Sequence, residues 1–440
     1  MSYNVFVMGL DPLVEEQLRT IPHASLYNIH PLLSPDEVIH AIEYDAGAML
    51  DRAGRILDAF PDKVDTIVTC WDFPSTLLTI PLRQSRGLPT PSLEAALRCE
   101  HKYWSRVVQA ETMPEAVPAF QAFDPFVSDP LAEIDLPYPF WIKPVKSYGS
   151  FLGFRIRNAR DFQRAIPRIR EGIGRLGRPF EYFLDLAEVP PEIRRVGGYH
   201  CIAEGIISRG RQCTLEGYVQ DGHIDIYGVV DSVRDAHHRS CFTRYEYPSS
   251  LPRKLQGRLI DAGERIIRAV GMDNSPFNIE FYYDRARDHI WLLEINSRIS
   301  RSHTPLFHMV DGASHLKVML DVGIGRPVHA PHRGGDYPVA AKFMLRVYKN
   351  AVVERAPTKA EIEAVKEQFP DSLLEVMVEP DMQLSDMLNQ DAYSYEIADL
   401  FLGAQNRRQL LDRYRECLQM LPFRFTDPRT NRITYQTEAA

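Results

Sequence analysis

At 440 residues the chain has the length for two or three domains, and 45% hydrophobic with 25% charged residues is the balance of a globular protein. A formal net charge of −8 excludes a nucleic-acid partner held by a general basic field, leaving room only for a local cationic pocket. No apolar stretch approaches the roughly 20 residues that span a bilayer, so no membrane partner is expected.

The opening MSYNVFVMGLDP has neither a basic leader nor a small-residue cleavage site, which argues against a signal peptide. The six cysteines (Cys70, Cys99, Cys201, Cys213, Cys241 and Cys417) form no CxxC pair and read as reduced thiols of a cytoplasmic protein. YNVFVMGL predicts a strand and DPLVEEQLRTI a helix opening on Asp-Pro. SLYNIHPLL predicts a second strand, followed by a helix from SPDEVIHAIEY with Ser34 or Asp36 as cap. TIVTCWD reads as a short buried strand, and PSTLLTIPLRQSRGL as a helix ending at Gly87. This alternation implies an open, mainly parallel α/β sheet over roughly residues 1–95. Gly9 does not open a dinucleotide fingerprint, because GLDPLVEE lacks GxGxxG; it reads as a turn glycine.

EAALRCEHKYWSRVVQAE predicts a helix with Lys102 and Arg106 on one face at i,i+4. Residues 113–139 are proline-rich and read as a linker with a short strand inside. In PFWIKPVKSYGSFLGFRIR, Lys143 ends an apolar strand before a turn carrying Ser147, Gly149 and Ser150, whose amides and hydroxyls could cradle an anion. From about residue 180 the pattern turns to hairpins, with Glu204 inside the apolar strand HCIAEGIIS, where an acid needs a partner. Asp221-Gly222 predicts the tight turn of one hairpin and DRARD that of the next, FNIEFYYDRARDHIWLLEIN. Beyond GIGRPV, a strand-like AKFMLRVY and an amphipathic RRQLLDRYRECLQML suggest a smaller α+β region.

The second hairpin carries the most pointed pattern. Period-two alternation puts Glu294, Asn296 and Arg298 on one face, with Trp291, Leu293 and Ile295 on the other. Pairing across DRARD sets Glu280 opposite residue 292 or 294, so Glu280 and Glu294 share a face at roughly 5–8 Å between Cβ atoms. Two carboxylates and an amide suit Mg²⁺, which completes its shell with water and phosphate oxygens. Arg298 beside them suits a phosphate or carboxylate. A solvated edge-hairpin face is the alternative.

In order, Lys102, Lys143-Pro before a glycine loop, Ile-Ala-Glu204, Asn-Ile-Glu280 and Glu294-Ile-Asn-Ser-Arg298 resemble the ATP-grasp superfamily. Biotin carboxylase, carbamoyl phosphate synthetase and the amino-acid and peptide ligases are such enzymes. The resemblance implies an α/β and α+β multidomain protein: a pre-ATP-grasp α/β domain with a linker helix (1–110), an ATP-grasp domain of antiparallel sheets and helices (111–330), and a C-terminal α+β domain (331–440). It implies that Lys102 and Lys143 meet the ATP phosphates, that residues 147–153 close over them, and that Glu204 meets the adenine edge. Glu280, Glu294 and Asn296 would hold one or two Mg²⁺ ions, with Mn²⁺ as a substitute, and Arg298 and Lys143 would serve the phosphoryl transfer. Gln212 stands where many relatives place a ribose-binding Glu, and Ser297 where proline is common. Glu216, Arg301 and His303 are candidate substrate-pocket residues, whereas His237-His238 reads as solvated. The implied activity is an ATP-dependent carboxylate–amine ligase acting on small molecules, amino acids among them, through an acylphosphate, with a homodimer as a common assembly of relatives. The alternatives are biotin-carboxylase-like carboxylation of a separate carrier, or a non-catalytic ATP-binding regulator.

Overall fold

The computed structural model describes residues 2–149, 151–235, 241–387, 390, 394–427 and 433–435. Ser150 and the His237-His238 pair lie outside the described residues. Three parallel strands, β1 (Tyr3–Met8), β2 (Tyr27–Leu32) and β3 (Thr66–Val68), pair in the order β2-β1-β3. This is the open α/β unit the alternation predicts. Asp11 caps helix Pro12–Thr20 by accepting from the Val14 amide at 3.1 Å. Gly9 has φ +69°, and a Cβ there would lie 2.9 Å from Val38 Cγ2, so the turn needs glycine.

Two local expectations change. The helix expected from SPDEVIHAIEY is only Pro35–Val38, closed by a Ser34/Glu37 capping box, and a separate helix, Ala46–Asp58, follows. EAALRCEHKYWSRVVQAE is two helices, Leu93–Glu100 and Lys102–Thr112, broken at His101. His101 ends the first and caps the second, accepting from the Trp104 amide at 3.2 Å. The break puts Lys102 at a helix N-terminus, where it can reach out of the helix.

Strands β4 (Phe120–Phe123), β5 (Phe140–Pro144), β6 (Phe154–Ile156) and β7 (Cys201–Gly205) form an antiparallel sheet in the order β4-β7-β5-β6. Helix Ala159–Gly172 turns Phe162, Ala165, Ile166 and Ile169 into the core beneath it.

The largest sheet has eight strands. β8 (Arg211–Gln220) and β9 (His223–Arg234) meet at Asp221-Gly222, both at positive φ (50° and 76°), as the tight turn requires. β10 (Phe242–Tyr247), β11 (Ser275–Asp284) and β12 (His289–Asn296) follow, and then β13 (Val339–Val347). β14 (Val352–Arg355), β15 (Leu373–Val376), β16 (Tyr395–Ala404), β17 (Arg424–Thr426) and β18 (Ile433–Tyr435) complete the described strands. The sheet order is β12-β11-β8-β9-β10-β13-β16-β15, while β14, β17 and β18 form a small separate sheet. β13 pairs with β10, Arg244 opposite Phe343, so hydrogen bonds run straight across the boundary expected near residue 330. Helix Arg407–Met420, the predicted amphipathic segment, covers this end, with Tyr414 stacked on Phe343 at 4.0 Å. No helix among the described residues is long and apolar enough to cross a membrane, and all six cysteines are buried thiols.

Candidate active site

An open cleft of about 920 Å³, in the upper range of ligand sites, lies where the parallel unit, the β4–β7 sheet and the large sheet converge. Glu280 stands directly opposite Glu294 across β11 and β12. A bulge follows at once, because Phe281 pairs with Leu292, so Leu293 is the extra residue. The bulge corrects the period-two reading: Leu293 lines the cleft beside Glu294, while Leu292 and Ile295 enter the core. The parity rule therefore fails at one step, although both carboxylates still reach the same face.

Burial, then the Glu294 charge, pushes the Glu280 carboxyl up to about 7. Burial also acts against ionised Glu294, but Lys102 and then Lys143 outweigh it and hold this carboxyl below its ordinary value. Lys102 Nζ lies 2.8 Å from Glu294 Oε2. Lys143 Nζ lies 2.6 Å from Glu204 Oε1, and Arg106 Nε lies 3.0 Å from Glu204 Oε2. Arg106 also donates to the Leu292 carbonyl at 2.7 Å, tying the helix to the bulge. Glu204 thus has the partners its buried position demands. Both of its oxygens are engaged by cations.

Gln212 donates to Glu280 Oε2 and accepts from Arg234 Nε, each at 2.6 Å, and Arg234 lies over the Phe242 ring. Asn296 donates to Asn278 Oδ1 at 2.9 Å, and Asn278 holds the Arg298 carbonyl. Arg298 Nη2 meets Asp72 Oδ2 at 2.5 Å. Asp72 follows β3 in the parallel unit, and Lys146, which pairs with Glu100, lies 3.7 Å from it. In the loop after β5, Ser147 is buried and Gly149 has φ +55° with open space where a Cβ would stand.

Three candidate substrate residues part company. Arg301 lines the cleft over the Trp71 ring and is held by Asp11 at 2.9 Å and Glu375 at 2.7 Å. His303 also lines it. Glu216 does not: it is fully buried behind His303, which corrects its placement as a pocket-lining residue.

Some cleft residues escaped the sequence reading. Asp72 sits just beyond the carboxyl end of a parallel strand, a position that marks ligand crevices in α/β sheets and could have drawn notice. Lys342, Arg346, Glu396 and Asp399 reach the cleft from β13 and β16. Lys342 Nζ lies 2.6 Å from Asp399 Oδ2, and Arg346 pairs with Glu396. Only non-local strand pairing assembles them, so nothing in the local sequence marks them.

Among the described residues no group of three or more His, Cys, Asp and Glu side chains could hold a metal. Glu280, Glu294 and Asn296 are instead two carboxylates and an amide, an all-oxygen set that suits Mg²⁺ sharing phosphate oxygens. Two facing, partly buried carboxylates, one of them pushed up by desolvation and then by the charge of the other, are the arrangement a divalent cation relieves.

Residues 136–304 match the ATP-grasp domain. A stretch of 258 residues is 23% identical to the C-terminal section of the carbamoyl phosphate synthase large chain of Methanopyrus kandleri, covering 58% of this chain and 43% of that protein. The chain thus spans less than half the length of that relative. An L-amino acid ligase from Bacillus licheniformis shares the fold over 97% of this chain and 99% of its own, with a TM-score of 0.71 and 14% identity. So does a carboxyaminoimidazole ribonucleotide synthase from Aspergillus clavatus complexed with ATP, over 95% and 98% (TM-score 0.65, 13% identity). A biotin carboxylase from Campylobacter jejuni does so over 99% and 93% (TM-score 0.61, 14% identity).

Proposed function

Starting from an ATP-grasp fold, whose domain occupies residues 136–304, we propose that the chain is an ATP-dependent carboxylate–amine ligase. The observation that carries the reading is the facing pair Glu280 and Glu294, with Lys102, Lys143 and Arg298 grouped around it in one cleft. A substrate carboxylate attacks the γ-phosphate of ATP, giving an acylphosphate and ADP. An amine then displaces phosphate and leaves an amide or peptide bond.

Phosphoryl transfer asks the protein for positioning and charge neutralisation, which lysines and arginine supply without a covalent protein intermediate. Lys102 and Lys143 leave their carboxylate partners for the nucleotide phosphates, and the loop at 147–153 excludes water that would hydrolyse the acylphosphate. Arg298, held by Asp72, steadies the transferring group. Glu280, Glu294 and Asn296 would hold Mg²⁺, which would supply neutralisation of phosphate charge. Glu204 borders the rest of the nucleotide, Gln212 stands behind it holding Glu280, and Arg301 with His303 faces the acid and amine. Amino acids are the substrates the L-amino acid ligase likeness suggests, and a cytoplasmic location belongs to the same proposal.

The test is ADP release with ATP, Mg²⁺ and a panel of amino acids and small carboxylates, with mass analysis of the product. Glu294→Gln and Lys143→Ala each lower substrate-dependent release by at least about 10²-fold on this reading. Release that survives both changes sinks it.

A further inference from the structure

The phosphoryl-transfer chemistry leaves a buried imidazole at the cleft, His303, without a chemical role. His303 closes the short turn Arg301–His303, lines the cleft, and is 2% exposed. Its Nδ1 lies 2.7 Å from Oε1 of Glu216, a β8 residue with no exposed surface. The same Oε1 accepts the Ser300 amide at 3.3 Å, and in the tautomer that carries the ring hydrogen on Nδ1 it accepts from the imidazole as well. In that tautomer Nε2 keeps its lone pair, and it is buried without a hydrogen-bond partner among the described residues. A buried imidazole oriented by a carboxyl group, with its second nitrogen unpaired among the described residues, is the arrangement of a general base.

Resting on the ligase reading, we propose that His303 is the base of the second half-reaction and that Glu216 is its positioning residue. The amine nitrogen attacks the acyl carbon, forming the C–N bond. The C–O bond to phosphate breaks and phosphate leaves with the electron pair. The proton shed by the nitrogen goes to His303 Nε2, and from there to the departing phosphate or to water.

The groups facing His303 come from several elements. Tyr245 on β10 meets the ring edge-on at 4.9 Å, and His315 Nδ1 stands 3.7 Å from Glu216 Oε2. Lys342 on β13 and Arg298 on its own loop add positive charge. Burial first, then His315, Lys342 and Arg298, hold the imidazole well below its ordinary value, so the neutral, proton-accepting form is present at physiological pH. Burial pushes the Glu216 carboxyl up, and its Oε2 has no hydrogen-bond partner among the described residues.

Hydroxylamine separates the two half-reactions, since it is largely unprotonated near neutrality and traps an acylphosphate without needing a base. The assay gives the enzyme ATP, Mg²⁺ and the twenty standard amino acids, with or without hydroxylamine, and measures hydroxamate and dipeptide. In His303→Asn the ratio of dipeptide to hydroxamate falls about 10²-fold. Glu216→Gln lowers it in the same direction by less and shifts the pH profile of dipeptide formation. Hydroxamate formation reports in the same tube that each variant is folded. A ratio unchanged in both variants, or both products lost in equal measure in both, overturns the role of His303. Neither product from the wild-type chain overturns the ligase reading instead.

Discussion

Glu204 was legible as a problem before it was legible as a site, because an acid inside an apolar strand must find a partner. The partners themselves were not legible. Arg106 lies 98 positions away on a helix, and Lys143 comes from the neighbouring strand β5. Burial works against ionised Glu204, but Lys143 and Arg106 prevail and hold its carboxyl down to about 2, below the ordinary 4.5. A depressed carboxylate stabilises the fold fully above its ordinary value, and that stabilisation is lost as pH falls from about 4.5 toward 2. Glu204→Gln leaves two buried cations without their counter-charge and costs about 3–5 kcal/mol near neutrality. Urea unfolding as a function of pH should show this loss at pH 7, with a shallower decline below pH 4.5 than in the wild type. Equal stability and equal acid sensitivity would show that the ion triad contributes nothing.

At the scale of elements, period-two alternation located the hairpin and its two carboxylates but not its bulges. Glu280 faces Glu294 as the pairing argument expects, yet the next pair slips by one and turns Leu293 into the cleft. A bulge is set by packing across neighbouring strands, which local patterning does not record. The helices Ala159–Gly172 and Gly174–Asp185 also went unread, each carrying an internal proline, Pro167 and Pro179, that sequence patterning treats as a break. A second register shift falls between Glu216 and Gly217 on β8. A Cβ on Gly217 would lie 2.5 Å from Phe277 Cζ and 2.7 Å from the Asp225 carbonyl oxygen. Gly217→Ala therefore overpacks the strand that carries Glu216 and Gln212, with an expected loss of about 1–3 kcal/mol in chemical denaturation. A wild-type midpoint would mean that the sheet yields there without cost.

Over the whole molecule, the ordered set of lysines, acids and Arg298 pointed to the fold, and the ATP-grasp match at 136–304 agrees with it. Beyond residue 330, β13 and β16 extend the same sheet that carries Glu280 and Glu294. The cleft is built by long-range convergence: Asp72 comes from the parallel unit, Lys143 from the β4–β7 sheet, and Lys342 and Asp399 from the C-terminal strands. Such pairings follow from topology, and a local reading has no access to them. We propose that Glu280 and Glu294 face each other in order to hold a metal on a nucleotide. The most direct test is Mn²⁺ binding to the full chain, followed by electron paramagnetic resonance with a non-hydrolysable ATP analogue. The wild type should take up Mn²⁺ when the analogue is present, and Glu280→Gln and Glu294→Gln should each weaken uptake more than about 10-fold. Uptake of wild-type strength in both variants would contradict it.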